Sequence, residues 1–206
     1  TVSNTISRLI VMLAGLPVVL GLAWIGGWPL LGLAAIAALL ALHELYRVTR
    51  SRRPLVLAGY GGATAALFGL QAGGIEWLGI GIIATIVLAF GFAAVAESSS
   101  ATAIAVTIFG VLWIAYGLAH VVLIRETAVD PTGAERGQLA IFTVLIAVFV
   151  IDTAAYLVGR LFGRRKLAPR VSPGKTWEGF VGGAVGGVFV TWIANYREGF
   201  LESWQA

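Results

Sequence analysis

Between residues 9 and 195 the sequence is a succession of long apolar runs separated by short polar gaps. That pattern decides the solvent before anything else. A bilayer core of about 30 Å asks for roughly 20 consecutive apolar residues in a helix. Seven runs near that length can be read, at 9–25, 29–46, 55–72, 77–96, 101–124, 139–159 and 179–195. Turn-forming residues fill the gaps: Gly26-Gly27-Trp28-Pro29, Arg53-Pro54, Gly73-Gly74, Ser98-Ser99-Ser100, Asp130-Pro131-Thr132-Gly133, and the stretch from Pro169 to Gly174.

Only 12% of the residues are charged and 59% are hydrophobic, whereas a soluble domain covers itself with about a quarter charged. The expected fold class is all-α: a polytopic membrane helical bundle of about seven transmembrane helices. It is read as a single integral membrane domain over 1–206, since no linker is long enough to separate two. The short alternating strands of a membrane barrel are missing. The run at 9–25 reads as a first span rather than a cleaved leader, because Gly26-Gly27-Trp28 is a poor cleavage site and more spans follow. With no cysteine there is no disulfide framework, thiol nucleophile or cysteine metal site.

The net charge of +4 does not point to nucleic acid, because the basic residues sit in short loops between apolar runs. With the N-terminus inside and the spans alternating, the inside segments carry Arg8, Arg47, Arg50, Arg52, Arg53, Arg160, Arg164, Arg165, Lys166, Arg170 and Lys175. The outside segments carry Arg125, Arg136 and Arg197, so the division of the 14 cations is 11 against 3. Cytoplasmic loops hold such an excess. The 160–178 loop is therefore expected on the cytoplasmic side.

The polar residues that could do chemistry concentrate between Asp152 and Gly187. Asp152 lies eight residues before Arg160, about 12 Å below the end of its helix. An ionised carboxylate at that depth is costly unless it is paired, coordinated or facing water. It either holds a cation or moves a proton, or it hydrogen-bonds a neighbouring helix. Tyr156 follows one turn on, with Gly159 and Gly163 on the same face. Arg164, Arg165, Lys166 and Arg170 form a basic loop at headgroup depth, where Arg forks suit phosphate oxygens and where plain topology anchoring would place them too.

Ser172-Pro173-Gly174-Lys175-Thr176 reads as a helix start, with Ser172 as N-cap and Pro173 in the first turn. Free N–H groups there would bind anions, and Lys175 would add a point charge. Glu178, three residues after Lys175, would steer that lysine or bind a divalent metal. Gly174-Lys175-Thr176 imitates the end of a P-loop, but Pro169 stands where that motif needs glycine, and an apolar helix stands where it needs a buried strand. Gly182 with Gly186, and Gly183 with Gly187, are small-xxx-small pairs that favour close helix packing in lipid. His43-Glu44 reads as a satisfied interfacial pair, and His120 as an interhelical hydrogen-bonder.

In these residues the chain resembles the phosphatidate cytidylyltransferase (CDP-diacylglycerol synthase) family. The similarity lies in Asp152-Thr-Ala-Ala-Tyr156, in Gly159-Arg160-Leu-Phe-Gly163, and in Lys166-Leu-Ala-Pro169-Arg-Val-Ser172-Pro173-Gly-Lys175-Thr176-Trp-Glu178-Gly179. The resemblance implies a multispanning enzyme of the bacterial inner membrane that condenses CTP with phosphatidic acid, giving CDP-diacylglycerol and pyrophosphate. It implies a divalent metal, usually magnesium (Mg2+). Asp152, Lys175 and Glu178 would then be catalytic, with Asp152 and Glu178 placing the metal. Arg164, Arg165, Lys166, Arg170, Ser172 and Thr176 would bind the substrates. The partners expected are CTP, phosphatidic acid and the bilayer, with no nucleic acid; a homo-oligomer is compatible.

The family also carries a C-terminal signature of Lys-Arg, Lys-Asp, Pro-Gly-His-Gly-Gly and Asp-Arg-hydrophobic-Asp, whose aspartates are its chief metal-binding acids. It does not occur in residues 1–206. The chain is therefore expected to be the N-terminal and central part of a longer cytidylyltransferase. The competing expectations are a shortened non-catalytic homologue and a transporter-like bundle using Asp152 as an ion site.

Overall fold

The computed structural model describes residues 15–95, 100–126 and 136–198. The helices are α1 (Gly15–Ile25), α2 (Gly27–Val48), α3 (Val56–Val95), α4 (Ala101–Gly110), α5 (Tyr116–Arg125), α6 (Arg136–Phe162) and α7 (Trp177–Glu198). A short 3-10 turn covers Arg50–Arg52, and a π turn, Val111–Ala115, joins α4 to α5 in one continuous path. The single strand pair among the described residues is β1 (Lys166–Ala168) with β2 (Ser172–Thr176). The fold class is thus the all-α, polytopic membrane class expected. Its compact units are Thr1–Gln138 and Leu139–Ala206.

Among the described residues, five helices are long and apolar enough to cross a membrane, against the seven spans expected. The difference lies in two places. Residues 9–14 of the first expected span fall outside the described residues, and the described part, Gly15–Ile25, is short. The second place is α3, whose 40 residues would make about 60 Å of straight helix, twice a bilayer core. It is not straight. Gly73 (φ −152°, ψ 20°) and Gly74 (φ 71°, ψ −154°) leave helical geometry, and the positive φ at Gly74 is one that only glycine takes freely. The two limbs then fold back on each other: Gly62 meets Thr85, Ala66 meets Gly81 and Gly69 meets Trp77. In each pair a glycine gives up its side chain so that helices approach closely.

The first unit is filled by Leu31, Leu42, Leu67, Leu78, Val111 and Val122, all at most 1% exposed. Its polar groups are satisfied locally, as they must be without water. Thr85 Oγ1 donates to Gly81 O at 2.9 Å, and Thr107 Oγ1 donates to Ala103 O at 2.8 Å while accepting the Leu55 N–H at 2.8 Å. The buried Tyr46 hydroxyl donates to Thr107 O at 3.2 Å. Ile36, Leu40, Ile83, Val87 and Phe90 face outward, as side chains do when the surrounding solvent is lipid.

His43 pairs with the Tyr60 hydroxyl at 2.9 Å, and Glu44 lies 3.8 Å from Arg47 in an exposed i,i+3 pair. His120 departs from expectation: Nδ1 lies 2.8 Å from Tyr116 O of its own helix, and its ring stands edge-on to Tyr116. Among the gaps, Ser100 caps α4 by accepting the Ala103 N–H at 3.2 Å. Ser98, Ser99 and the Asp130–Gly133 break lie outside the described residues.

In the second unit α6 and α7 run antiparallel along a seam of small residues. Gly159 packs on Gly179, Ala155 on Gly183, Ile151 on Gly187, Val158 on Gly182 and Ala154 on Gly186. Both small-xxx-small pairs of α7 are used. Between the helices the structure corrects one expectation. Residues 172–176 are not a helix start but strand β2, and α7 begins at Trp177. The local signals of Ser172 and Pro173 lose to an antiparallel pairing with β1, in which Lys166 faces Thr176 and Ala168 faces Ser172.

Candidate active site

The site is assembled from α6, the β1–β2 hairpin and the start of α7. Asp152, Tyr156 and Arg160 follow one another at four-residue steps on α6, so the helix stacks them along one face. The hairpin returns the chain over that face. Its register is irregular: a step of two residues along β1 is matched by a step of four along β2. Pro173, which has no N–H to give a ladder, sits in the irregular part. An irregularity of this kind re-aims side chains, and here Gly174 and Lys175 are delivered to the cleft.

Thr176 closes the arrangement. It is 7% exposed, and its Oγ1 accepts the Gly179 N–H at 3.1 Å, making it the N-cap of α7. Gly159, Gly163 and Gly179 all crowd its side chain; a methyl group on Gly159 would stand 3.0 Å from Thr176 Oγ1. The Trp177 N–H donates to Arg165 O at 3.0 Å. Glu178 accepts from Arg164 N–H at 3.1 Å and from Arg165 N–H at 3.3 Å, and its own N–H faces the same carboxylate. The first N–H groups of α7 are therefore engaged by the protein. The anion seat expected at a helix start near 172–176 does not form, because the cap lies at Thr176 and its donors are used.

What the fold does form is a cleft of about 660 Å³ lined by Asp152, Tyr156, Arg160, Lys175 and Thr176, with Ile151, Leu167, Phe180 and Ala184 as apolar walls. Asp152 and Lys175 thus share one cavity. No hydrogen bond or ion pair reaches Asp152 among the described residues. The other expected residues lie elsewhere. Arg164 and Arg165 form the link from α6 to β1, Lys166 opens β1, Arg170 sits in the hairpin turn and Ser172 opens β2. Arg165 and Glu178 line a separate cleft with Val158 and Trp177.

Arg160 is the functional candidate that the sequence reading missed. In the sequence it stands in the charge balance, at the end of the Asp152 helix and in the Gly159–Gly163 resemblance, with no role at the site, although its eight-residue spacing from Asp152 is a visible sign that both occupy one face.

Magnesium binds through one or two carboxylates completed by phosphate oxygens and water. No group of three or more His, Cys, Asp or Glu comes together among the described residues. Asp152, unpartnered in the cleft, is a carboxylate of the kind such an ion takes.

Comparison with known proteins gives the family of the chain. Phosphatidate cytidylyltransferase of Haemophilus influenzae is 47% identical over 58 residues, 28% of this chain and 20% of that protein. That of Pseudomonas aeruginosa is 58% identical over 43 residues, 21% of this chain and 16% of the relative. These matches span about a fifth or less of the length of the curated relatives. The Staphylococcus haemolyticus protein of the same name is 26% identical over 207 residues, covering 98% of this chain and 75% of its own length. No solved structure matches. The sequence model of the Cytidylyltransferase family matches residues 6–205, essentially every described residue, and the chain belongs to that family.

Proposed function

We propose that this chain carries phosphatidate cytidylyltransferase activity: transfer of CMP from CTP to phosphatidic acid, giving CDP-diacylglycerol and pyrophosphate. The observation that carries the reading is the shared cleft of Asp152 and Lys175 in a chain of the Cytidylyltransferase family. A phosphate oxygen of the lipid attacks the α-phosphorus of CTP. The new P–O bond forms as the α–β bridging bond breaks, and pyrophosphate leaves with the electron pair.

Such a transfer needs charge neutralised and two polyanions aligned more than it needs covalent chemistry from the protein. Lys175 holds phosphate oxygens in the cleft, and Thr176 fixes the strand end that presents it. Asp152 would hold a magnesium ion in the cleft, whose chemistry there would be charge neutralisation of the triphosphate. Glu178 straps the Arg164–Arg165 link. Arg164, Arg165, Lys166 and Arg170 form the basic approach, at the level where the phosphate of a membrane lipid lies. The apolar walls at Ile151, Leu167, Phe180 and Ala184 suit a lipid substrate. The cleft faces the cytoplasm of a bacterial inner membrane, where CTP is made.

The test is direct. Membranes containing the protein, given CTP labelled at the α-phosphate, magnesium and phosphatidate, should form labelled CDP-diacylglycerol and release pyrophosphate. Release of CDP with a newly phosphorylated lipid would mean a lipid kinase instead. Ion flux through proteoliposomes without CTP, and no lipid product, would favour the ion-site reading of Asp152.

A further inference from the structure

The wall that α6 gives to the cleft holds a second cation with its own positioning partner. Arg160 Nη1 donates to the Tyr156 hydroxyl oxygen at 2.9 Å, and the guanidinium carbon lies 5.9 Å from the centre of the Tyr156 ring. Both residues line the cleft with Asp152 and Lys175. Arg160 makes no ion pair among the described residues. Asp152, the acid of the same face, stands two turns away, roughly 12 Å along the axis.

The charge count of the cleft is then two cations, Arg160 and Lys175, against one acid, Asp152, a net of +1. Two cations around one cavity repel unless an anion comes between them. The Tyr156 bond occupies one donor of the guanidinium fork and leaves the others. Because Tyr156 receives that bond, its own O–H remains available to donate. Together they offer a planar fork and a hydroxyl, the donor set that suits the tetrahedral oxygens of a phosphate group.

We infer that Arg160, held in place by Tyr156, is a phosphate-binding residue of the cleft that it shares with Lys175. The inference rests on the cleft being the reaction site proposed above, and it assigns a role to two residues outside that assignment. The phosphate belongs either to the lipid headgroup or to the nucleotide, and the same chemistry serves both. The competing view is that Arg160 is a membrane anchor at a helix end, kept only for its charge.

Lysine separates these views, since it keeps the charge and the long aliphatic stem and loses the fork. The experiment takes wild type, Arg160→Lys and Tyr156→Phe as purified protein in nanodiscs. Transfer is measured with CTP and phosphatidate varied separately, beside equilibrium binding of labelled CTP and labelled phosphatidate. Arg160→Lys should raise KM for one of the two substrates by about tenfold, with kcat changed by less than about twofold. Tyr156→Phe should raise the same KM by about threefold. A shift in phosphatidate KM assigns the lipid phosphate, and a shift in CTP KM assigns the nucleotide.

Unchanged KM values for both substrates in Arg160→Lys overturn the inference. So does a Tyr156→Phe effect on the other substrate alone. If wild type transfers nothing, the function proposed above has failed, and the binding arm still decides this one. Weaker retention of either phosphate compound by both variants upholds a phosphate-binding Arg160; equal retention rejects it. If Arg160→Lys does not fold, Tyr156→Phe decides by the same criteria.

Discussion

Glu178 Oε2 accepts the backbone N–H of Arg164 at 3.1 Å across fourteen residues of chain. The same carboxylate takes the Arg165 N–H at 3.3 Å, so it ties the exit of α6 to the first turn of α7. Asp152 has no such engagement and lines the cleft that also holds Lys175. Two acids of one short region thus have different surroundings: one fastens a loop, the other faces open space beside cations.

Magnesium dependence should separate them. Asp152→Asn should raise the magnesium concentration for half-maximal transfer by about tenfold or more, because a carboxylate ligand is lost. Glu178→Gln keeps an acceptor for the loop. It should leave that concentration within about twofold of wild type while lowering activity several-fold. Magnesium titration of transfer by each variant is the measurement, and equal shifts in both would make Glu178 a metal ligand as well.

Lys175→Ala should lower kcat/KM by at least about a hundredfold, since it removes the cation that the proposed reaction sets against the substrate phosphates. Lys175 is an exposed strand residue outside the helix seam. Membrane insertion and elution as a single species from size exclusion should therefore match wild type. Near-normal turnover would remove Lys175 from the reaction.

The spans were legible because bilayer thickness imposes a length that apolar runs cannot disguise. The glycines at 182, 183, 186 and 187 were legible because a four-residue spacing places them on a common side of α7, and the structure packs them on α6. Residues 172–176 were misread for a different reason. Ser172 and Pro173 are good helix starters by local rules, yet the choice was made by β1, an element earlier in the chain whose pairing leaves no periodic mark in three residues. Thr176 is the cap actually used, and the sequence reading gave that role to Ser172 alone. Arg160 was overlooked because one charge can serve topology and a site at once, and only the cleft distinguishes the two uses.

The seam makes a sharp contrast between two glycines near the site. A methyl group at Gly179 would lie 2.7 Å from Ala155 O and 3.0 Å from Gly159 Cα, both backbone atoms that cannot swing aside. At Gly174 it would meet nothing within 4 Å, and no positive φ opposes it. Gly179→Ala should therefore destabilise the protein by about 1–3 kcal/mol, the usual cost of overpacking. Gly174→Ala should change stability by less than about 0.5 kcal/mol. Thermal unfolding in detergent, followed by tryptophan fluorescence, gives both numbers, and equal midpoints would mean that α6 and α7 do not pack as described.

Charge predicts the orientation in the membrane, and the chain is well suited to testing it because it contains no cysteine. Single cysteines can be placed at exposed positions in three connections: Arg52 after α2, Glu76 beside the Gly73–Gly74 turn of α3, and Arg170 in the hairpin turn. The 11 to 3 division of cations predicts Arg52 and Arg170 on the cytoplasmic side. The antiparallel limbs of α3 put Glu76 at the opposite end of its first limb from Arg52. A membrane-impermeant thiol reagent applied to intact spheroplasts should label Glu76→Cys. It should reach Arg52→Cys and Arg170→Cys only after lysis. Labelling of Arg170→Cys from outside would remove the hairpin from the compartment that supplies CTP, and the cleft of Asp152 and Lys175 could not then be the site of transfer.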